Sequence, residues 1–128
     1  MTPAVPIWVF VGGAGAVGVL LRYVLGGWLA RASGGMFPWE TLAINVAGCL
    51  AIGLLAGALD RGAPLSPSVR MALMVGLLGG FTTFSSFALE TLRLIQDAEW
   101  LSATAYVLMS NVGGLAAVFL GYGLLART

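Results

Sequence analysis

The chain has 128 residues, of which 59% are hydrophobic and 9% charged, and its formal net charge is +1. Soluble domains carry roughly 45–50% apolar and 25% charged residues, so this composition and a mean hydropathy of +0.99 predict an integral membrane protein. The absence of His, the single Cys and the scattered arginines exclude zinc, haem and iron–sulfur sites, a Cys–His nucleophile pair and a nucleic-acid surface. We therefore predict a protein that is not an enzyme, has no organic cofactor and binds no nucleic acid.

Four apolar runs without charge lie at 1–21, 41–59, 71–89 and 101–126. Each is near the roughly 20 residues that a helix needs to cross a hydrocarbon core. The first run lacks the basic start and polar cleavage region of a signal peptide, so we expect it to remain as a span. Tryptophans near the ends of the runs favour these boundaries. We predict one four-helix transmembrane domain over 1–128, surrounded by lipid, with spans at about 5–29, 39–59, 69–94 and 100–125.

The arginines are divided equally between the two sides that four alternating spans would create. Three fall on the side of the N-terminus and three on the other: Arg61, Arg70 and Arg127 against Arg22, Arg31 and Arg93. The positive-inside rule then gives no preferred orientation. Such a chain could insert both ways and pair with its own inverted copy, although so few charges can also balance by chance.

Small residues recur at four-residue spacing in the first two spans, in GGAGAVG over 12–18 and in NVAGCLAIGLLAG over 45–57. Such faces allow helices to approach closely, within one chain or between chains. Cys49 lies among them and is expected to be a packing residue. Because four short spans are a small bundle for enclosing a pore, we expect a homo-oligomer.

Polar residues also occur within the apolar runs or at their ends, where they often mark a substrate path. Asn45 has apolar neighbours and could either serve such a path or form a hydrogen bond between helices. Arg22 could extend to the interface. Glu90 could also reach the boundary, or pair with Arg22 or Arg93.

The stretch GGFTTFSSF over 79–87 interrupts the third run. Paired glycines followed by two threonines weaken a helix, so we predict a break near 79–83. Unwound backbone at membrane depth must be buried in protein or line an aqueous cavity, and it is a candidate ion site. Phe84 and Phe87 would share a helix face, where the positive edges of their rings could contact a small dehydrated anion. Packing is the alternative for each ring taken alone.

Four segments together resemble the Fluc/CrcB family of fluoride channels over essentially the whole chain. They are GLLGGFTTFSSFALET in the third span, Asn45-x-x-Gly48 in the second, Gly18-x-x-x-Arg22 in the first and Tyr106-x-x-x-Ser110-Asn111 in the fourth. The resemblance implies an all-α protein with a broken third helix that forms an antiparallel, dual-topology homodimer. It also implies a multi-pass protein of the cell (inner) membrane that passively releases cytoplasmic fluoride through two pores and so confers fluoride resistance.

The resemblance further implies roles for single residues. A structural Na⁺ at the dimer centre would be held by the backbone carbonyls of Gly79 and Thr82 from both chains. The resemblance places Phe84, Phe87 and Asn45 in the fluoride path. It places Thr83, Ser85, Tyr106 and Ser110 in a polar track beside that path, and Arg22 and Glu90 at a vestibule or span end. Some relatives continue the hydroxyl series one turn beyond Ser110, where this chain has Gly114, so the track is expected to be shorter or water-filled there.

Three functions from different classes follow from these features. A fluoride channel would give fast, passive and selective flux. A proton-coupled transporter of small solutes or anions would need a titratable residue in the membrane, for which Glu90 is the candidate. An assembly protein would use the glycine faces without any ion path.

Overall fold

The computed structural model describes residues 5–126, which form helices joined by short connections. The helices are α1 (Ile7–Ser33), α2 (Trp39–Asp60), α3 (Pro67–Met71), a π-helix (Ala72–Leu78), α4 (Gly79–Phe81), α5 (Phe84–Gln96) and α6 (Trp100–Ala126). Four units are long and apolar enough to cross a membrane: Ile7–Ser33, Trp39–Asp60, Pro67–Gln96 and Trp100–Ala126. The prediction of four spans is therefore confirmed, while residues 1–4 and Arg127 lie outside the described residues.

The ends of the spans follow local backbone chemistry rather than the edges of the apolar runs. α1 continues to Ser33 instead of stopping at residue 29, because the first backbone that leaves the helix is Gly34, with a φ of 54°. α3 begins where the Ser66 side chain accepts a hydrogen bond from Val69 N and Pro67 occupies the first turn. These capped ends lengthen the helices beyond the stretch that sequence hydropathy alone predicts.

The third span is broken, as predicted. Thr82 and Thr83 have extended backbone, with φ and ψ of −84° and 161° and of −150° and 119°. A seven-residue π-helix, Ala72–Leu78, precedes the short helix that ends at the break. α5 then restarts with the Thr83 side chain accepting a hydrogen bond from Ser86 N.

Two helix pairs form the bundle, and glycines line both contacts. α1 packs on the first half of the third span, where a methyl group on Gly80 would lie 2.6 Å from Gly15 O. α2 packs on α6, where a methyl group on Gly57 would lie 2.7 Å from Tyr122 O. The predicted small-residue faces therefore make contacts within the chain.

Most large apolar side chains face outward, as expected for a protein surrounded by lipid. The buried cluster is small and includes Leu42, Leu94, Ala103 and Tyr106, with Tyr106 fully buried. This cluster lies where α2, α5 and α6 meet, and it supports the helix that restarts after the break.

Replacing Gly121 with Ala should separate α2 from α6. The added methyl group would collide with Leu50 O and lie 2.8 Å from Leu54 N, both of which are backbone atoms. We expect the free energy of unfolding in detergent to fall by about 1–3 kcal/mol. Gly13→Ala is the matched control, because a methyl group there meets nothing within 4 Å; equal stability of the two variants would contradict the proposed packing.

Candidate ion site at the helix break

The side chain of Asn45, on α2, holds the broken backbone of the third span. Asn45 Nδ2 donates to Thr83 O at 3.0 Å, and Thr83 N donates to Asn45 Oδ1 at 2.8 Å. The amide thus replaces the helical partners that Thr83 loses at the break. Asn45 forms an interhelical bond and also lies at the candidate site, so the two interpretations of this residue are compatible.

The pair of hydrogen bonds between Asn45 and Thr83, here called the clamp, and the cap at Thr83 leave two carbonyl groups without their helical donors. In a continuous helix Gly79 O would accept from Thr83 N, and Thr82 O would accept from Ser86 N. Thr83 N donates instead to Asn45 Oδ1, and Ser86 N donates to Thr83 Oγ1 at 3.2 Å. The carbonyls of Gly79 and Thr82 therefore lose their helical donors, and such oxygens are the ligands that hard cations prefer.

A groove of about 230 Å³ lies beside the break. Its lining residues come from α2, the broken span and α6: Asn45, Cys49, Thr82, Thr83, Phe84, Phe87, Ser110 and Asn111. No carboxylate or arginine occurs among these described lining residues. Ser110 Oγ is buried and has no hydrogen-bond partner among the described residues. Asn45 Nδ2 carries a second N–H beyond the one given to Thr83, so the groove offers neutral hydrogen-bond donors.

Aromatic rings continue from the groove toward the buried cluster. The ring centroids of Phe84 and Phe87 are 5.4 Å apart at an interplanar angle of 47°, and those of Phe87 and Tyr106 are 5.1 Å apart at 52°. Tilted rings of this kind present edges as well as faces to their neighbours. Phe84 is 77% exposed, so the groove is open on this side of the described chain.

Glu90 lies outside the groove, and two hydroxyl groups donate hydrogen bonds to its carboxylate. Thr41 Oγ1 donates to Glu90 Oε1 at 2.8 Å, and Tyr106 OH donates to Glu90 Oε2 at 2.6 Å. In the described residues the hydrogen-bond partners of the Glu90 carboxylate are these two hydroxyl groups and not Arg22 or Arg93. Glu90 also lines a second groove of about 270 Å³ that opens at the Asp97 end of the bundle.

Arg22 is partly buried. Its Nε donates to Gly80 O at 3.1 Å, at the end of α4. The guanidinium thus satisfies a terminal carbonyl and places positive charge at the negative end of the first half of the broken span. Arg22 therefore stabilises the end of the helix that precedes the break.

Comparison with known protein sequences identifies the family of this chain. A family model described as "CrcB-like protein, Camphor Resistance (CrcB)" matches residues 7–122. The chain belongs to the CrcB family. Three relatives, all named "Fluoride-specific ion channel FluC", are similar over most of their length. The protein of Chloroflexus aurantiacus is 48% identical over 85% of this chain and 86% of its own, that of Rhizobium meliloti 41% over 90% and 92%, and that of Geobacter sulfurreducens 46% over 86% and 86%.

The CrcB membership confirms the resemblance inferred from the four sequence segments, and the named channels do not favour a proton-coupled transporter. The structure brings together at the groove five residues expected in the fluoride path or polar track, Asn45, Thr83, Phe84, Phe87 and Ser110. Tyr106 does not line the groove, but its ring contacts that of Phe87, which does. Ser85 is exposed and does not line the groove, although its Oγ lies 3.4 Å from Thr83 Oγ1.

Sequence reasoning missed two participants of this CrcB site. Thr41 binds Glu90, and Cys49 lines the groove. Both lie one helical turn from Asn45, on the same face of α2. The available signal was the four-residue spacing of Thr41, Asn45 and Cys49.

Asn45→Ala should free the backbone at the break. It leaves Thr83 N–H and C=O without partners, at a cost of about 1–3 kcal/mol for each group. We expect lower stability in detergent and faster hydrogen exchange at the Thr83 amide. Thr104→Ala is the control, because Thr104 is exposed, lies outside the groove and donates to Trp100 O of its own helix; unchanged exchange at Thr83 in Asn45→Ala would contradict the clamp.

Proposed function

We propose that this chain is a fluoride-selective ion channel that passively releases cytoplasmic fluoride and thereby protects the cell against fluoride toxicity. One observation carries the proposal: the groove beside the broken span combines neutral hydrogen-bond donors with the rings of Phe84 and Phe87. Membership of the CrcB family and relatives named as fluoride channels support the same conclusion. We assign no catalytic role to any residue.

The chemistry of the groove suits a small anion that has lost water. Asn45 and Ser110 each offer an N–H or O–H group that the described chain does not use. The positive end of α5 lies at the groove, because that helix begins at Phe84. Phenyl edges add further positive potential without tight binding. Several weak contacts of this kind allow an ion both to enter and to leave.

A second copy of the chain completes the path in this proposal. Polar groups at membrane depth must be buried in protein or face a water-filled cavity, yet the polar residues Ser85 and Asn111 beside the groove are exposed in the single chain. An antiparallel partner with dual topology, in the cell (inner) membrane, would close this open side. The balanced arginines of the sequence are compatible with such insertion in both directions.

The same homodimer would hold one structural Na⁺ at its centre, through Gly79 O and Thr82 O of both chains. Both carbonyls have lost their helical donors to the Asn45 clamp and the Thr83 cap, which supports this assignment. Carbonyl oxygens fit a hard cation, and the described residues contain no group of three or more His, Cys, Asp or Glu placed to hold a metal. The ion would link the two broken spans and would not be transported.

Fluoride efflux from liposomes containing the purified protein tests the channel. With a valinomycin K⁺ shunt, a fluoride electrode should record rapid fluoride loss while chloride is retained. Asn45→Asp places an anionic oxygen against Thr83 O and the path, and Phe84→Ile removes a ring edge. We expect each to lower flux by more than about tenfold, which corresponds to about 1.4 kcal/mol in the barrier.

Phe119→Ile is the matched control, because Phe119 is 75% exposed on α6 and is not part of the groove. Its flux should equal that of the wild type, and all variants should elute as dimers. Absence of fluoride flux from a folded wild-type dimer would overturn the channel. Unchanged flux in both Asn45→Asp and Phe84→Ile would remove these residues from the path.

Removal of Na⁺ tests the metal assignment separately. Purification with N-methylglucamine in place of Na⁺ should weaken the dimer in detergent, measured by dilution and size-exclusion chromatography, and Na⁺ should restore it. K⁺ at equal ionic strength is the control for screening. Equal dimer stability in all three media would exclude a structural Na⁺ at Gly79 and Thr82.

A further inference from the structure

Two rows of residues face each other across the contact between α2 and α6. Along α2 the row runs at four-residue spacing through Thr41, Asn45 and Cys49, and along α6 through Tyr106, Ser110 and Gly114. Each residue of one row has a counterpart in the other, and we call each such pair a level. At the first level, Thr41 and Tyr106 both donate to Glu90. The second level meets at the groove, which Asn45 and Ser110 both line. The rows are therefore in register.

The third level pairs Cys49 with Gly114. A methyl group built on Gly114 would lie 3.3 Å from Cys49 Sγ, so the thiol occupies the space that a side chain on α6 would fill. Cys49 also lines the same groove as Asn45 and Ser110. At this level the thiol is the only heteroatom that either row supplies from a side chain.

The next two levels are closed by backbone. A methyl group on Gly53 would collide with Val118 O, and one on Gly57 would lie 2.7 Å from Tyr122 O. The two helices therefore touch directly beyond Cys49. The polar groove between α2 and α6 ends at the thiol.

Ser110 supplies an independent observation at this end of the groove. Ser110 Oγ, one turn before Gly114 and adjacent to the Cys49 level, is buried and has no hydrogen-bond partner among the described residues. A buried hydroxyl without a partner costs free energy that a bound ion or water would recover. The groove is therefore arranged to receive a polar species beside Cys49.

We propose that the Cys49 thiol is the last side-chain contact of the fluoride path within one protomer and sets the size and polarity of the path there. This inference rests on the proposed channel function. The S–H group is a weak donor compared with the amide of Asn45 and the hydroxyl of Ser110. A weak donor at the end of the groove lets an anion leave the stronger sites, as conduction requires.

Thiol modification gives the first test, because Cys49 is the only cysteine in the chain. Methyl methanethiosulfonate is small enough for a narrow path. The Cys49 thiolate attacks its sulfenyl sulfur, a methyl disulfide forms, methanesulfinate leaves, and the thiol proton goes to water. The extent of reaction is read by intact-protein mass spectrometry, and fluoride efflux is measured on the same liposomes.

We expect modification to block fluoride efflux, and saturating fluoride to slow the modification severalfold relative to chloride. Cys49→Ser should conduct measurably and be insensitive to the reagent, which assigns the block to this thiol. Full efflux from fully modified protein would overturn the inference. Failure of the reagent to reach Cys49 in conducting protein would overturn it too.

Exchanging the residues of the third level gives the second test. Cys49→Ala should lower fluoride flux severalfold per folded dimer, and adding Gly114→Ser should restore most of it by supplying a hydroxyl from the other helix. Gly114→Ala with Cys49 retained should also lower flux, because the methyl group would crowd the thiol. A packing role predicts lower stability with unchanged flux per folded dimer in all three variants, and that result would overturn the inference.

The wild-type protein separates the two proposals. If it carries no fluoride, the channel function fails, whatever happens at Cys49. If it conducts while the modified and exchanged variants conduct equally well, the channel function stands and only the role of Cys49 is overturned.

Discussion

The two hydrogen bonds between the Asn45 amide and the backbone of Thr83 are the constraint on which the candidate site depends. A break in a membrane helix leaves donors and acceptors that lipid cannot satisfy. One side chain from α2 satisfies both groups of Thr83. Because Thr83 N–H donates to Asn45, it no longer donates to Gly79 O. The extended backbone also turns Phe84 toward the groove. The cation and anion sites proposed here therefore share one origin.

Close helix contact is the second requirement, because the clamp works only if α2 lies near the break. Gly48, one turn after Ile44 on α2, has space for no side chain, since a methyl group there would collide with the Thr82 methyl. Arg22 approaches from α1 and satisfies Gly80 O on the other side. Glycines thus bring the backbones together, and two polar side chains then satisfy the groups that the break exposes.

Much of this arrangement could be predicted from the sequence, because its signals are local. Hydropathy identified four spans, and the paired glycines with Thr82 and Thr83 identified the break. Partners between helices could not be predicted, since they depend on rotation about each helix axis. Glu90 was expected either to reach the span boundary or to pair with an arginine, and its hydrogen bonds from Thr41 and Tyr106 were not foreseen. Arg22 likewise faces Gly80 O, a backbone group that no side-chain pattern reveals.

The π-helix Ala72–Leu78 restricts how this protein can evolve. Its wider turns place Gly76 against α1 and still deliver the break opposite Asn45. Loss of one residue from this segment, with its i→i+5 hydrogen bonding kept, would rotate the chain that follows about the helix axis. Thr83 would then face away from α2. Substitution can therefore change the side chains of this segment, whereas its length is fixed by the register of residues that lie a full turn or more beyond it.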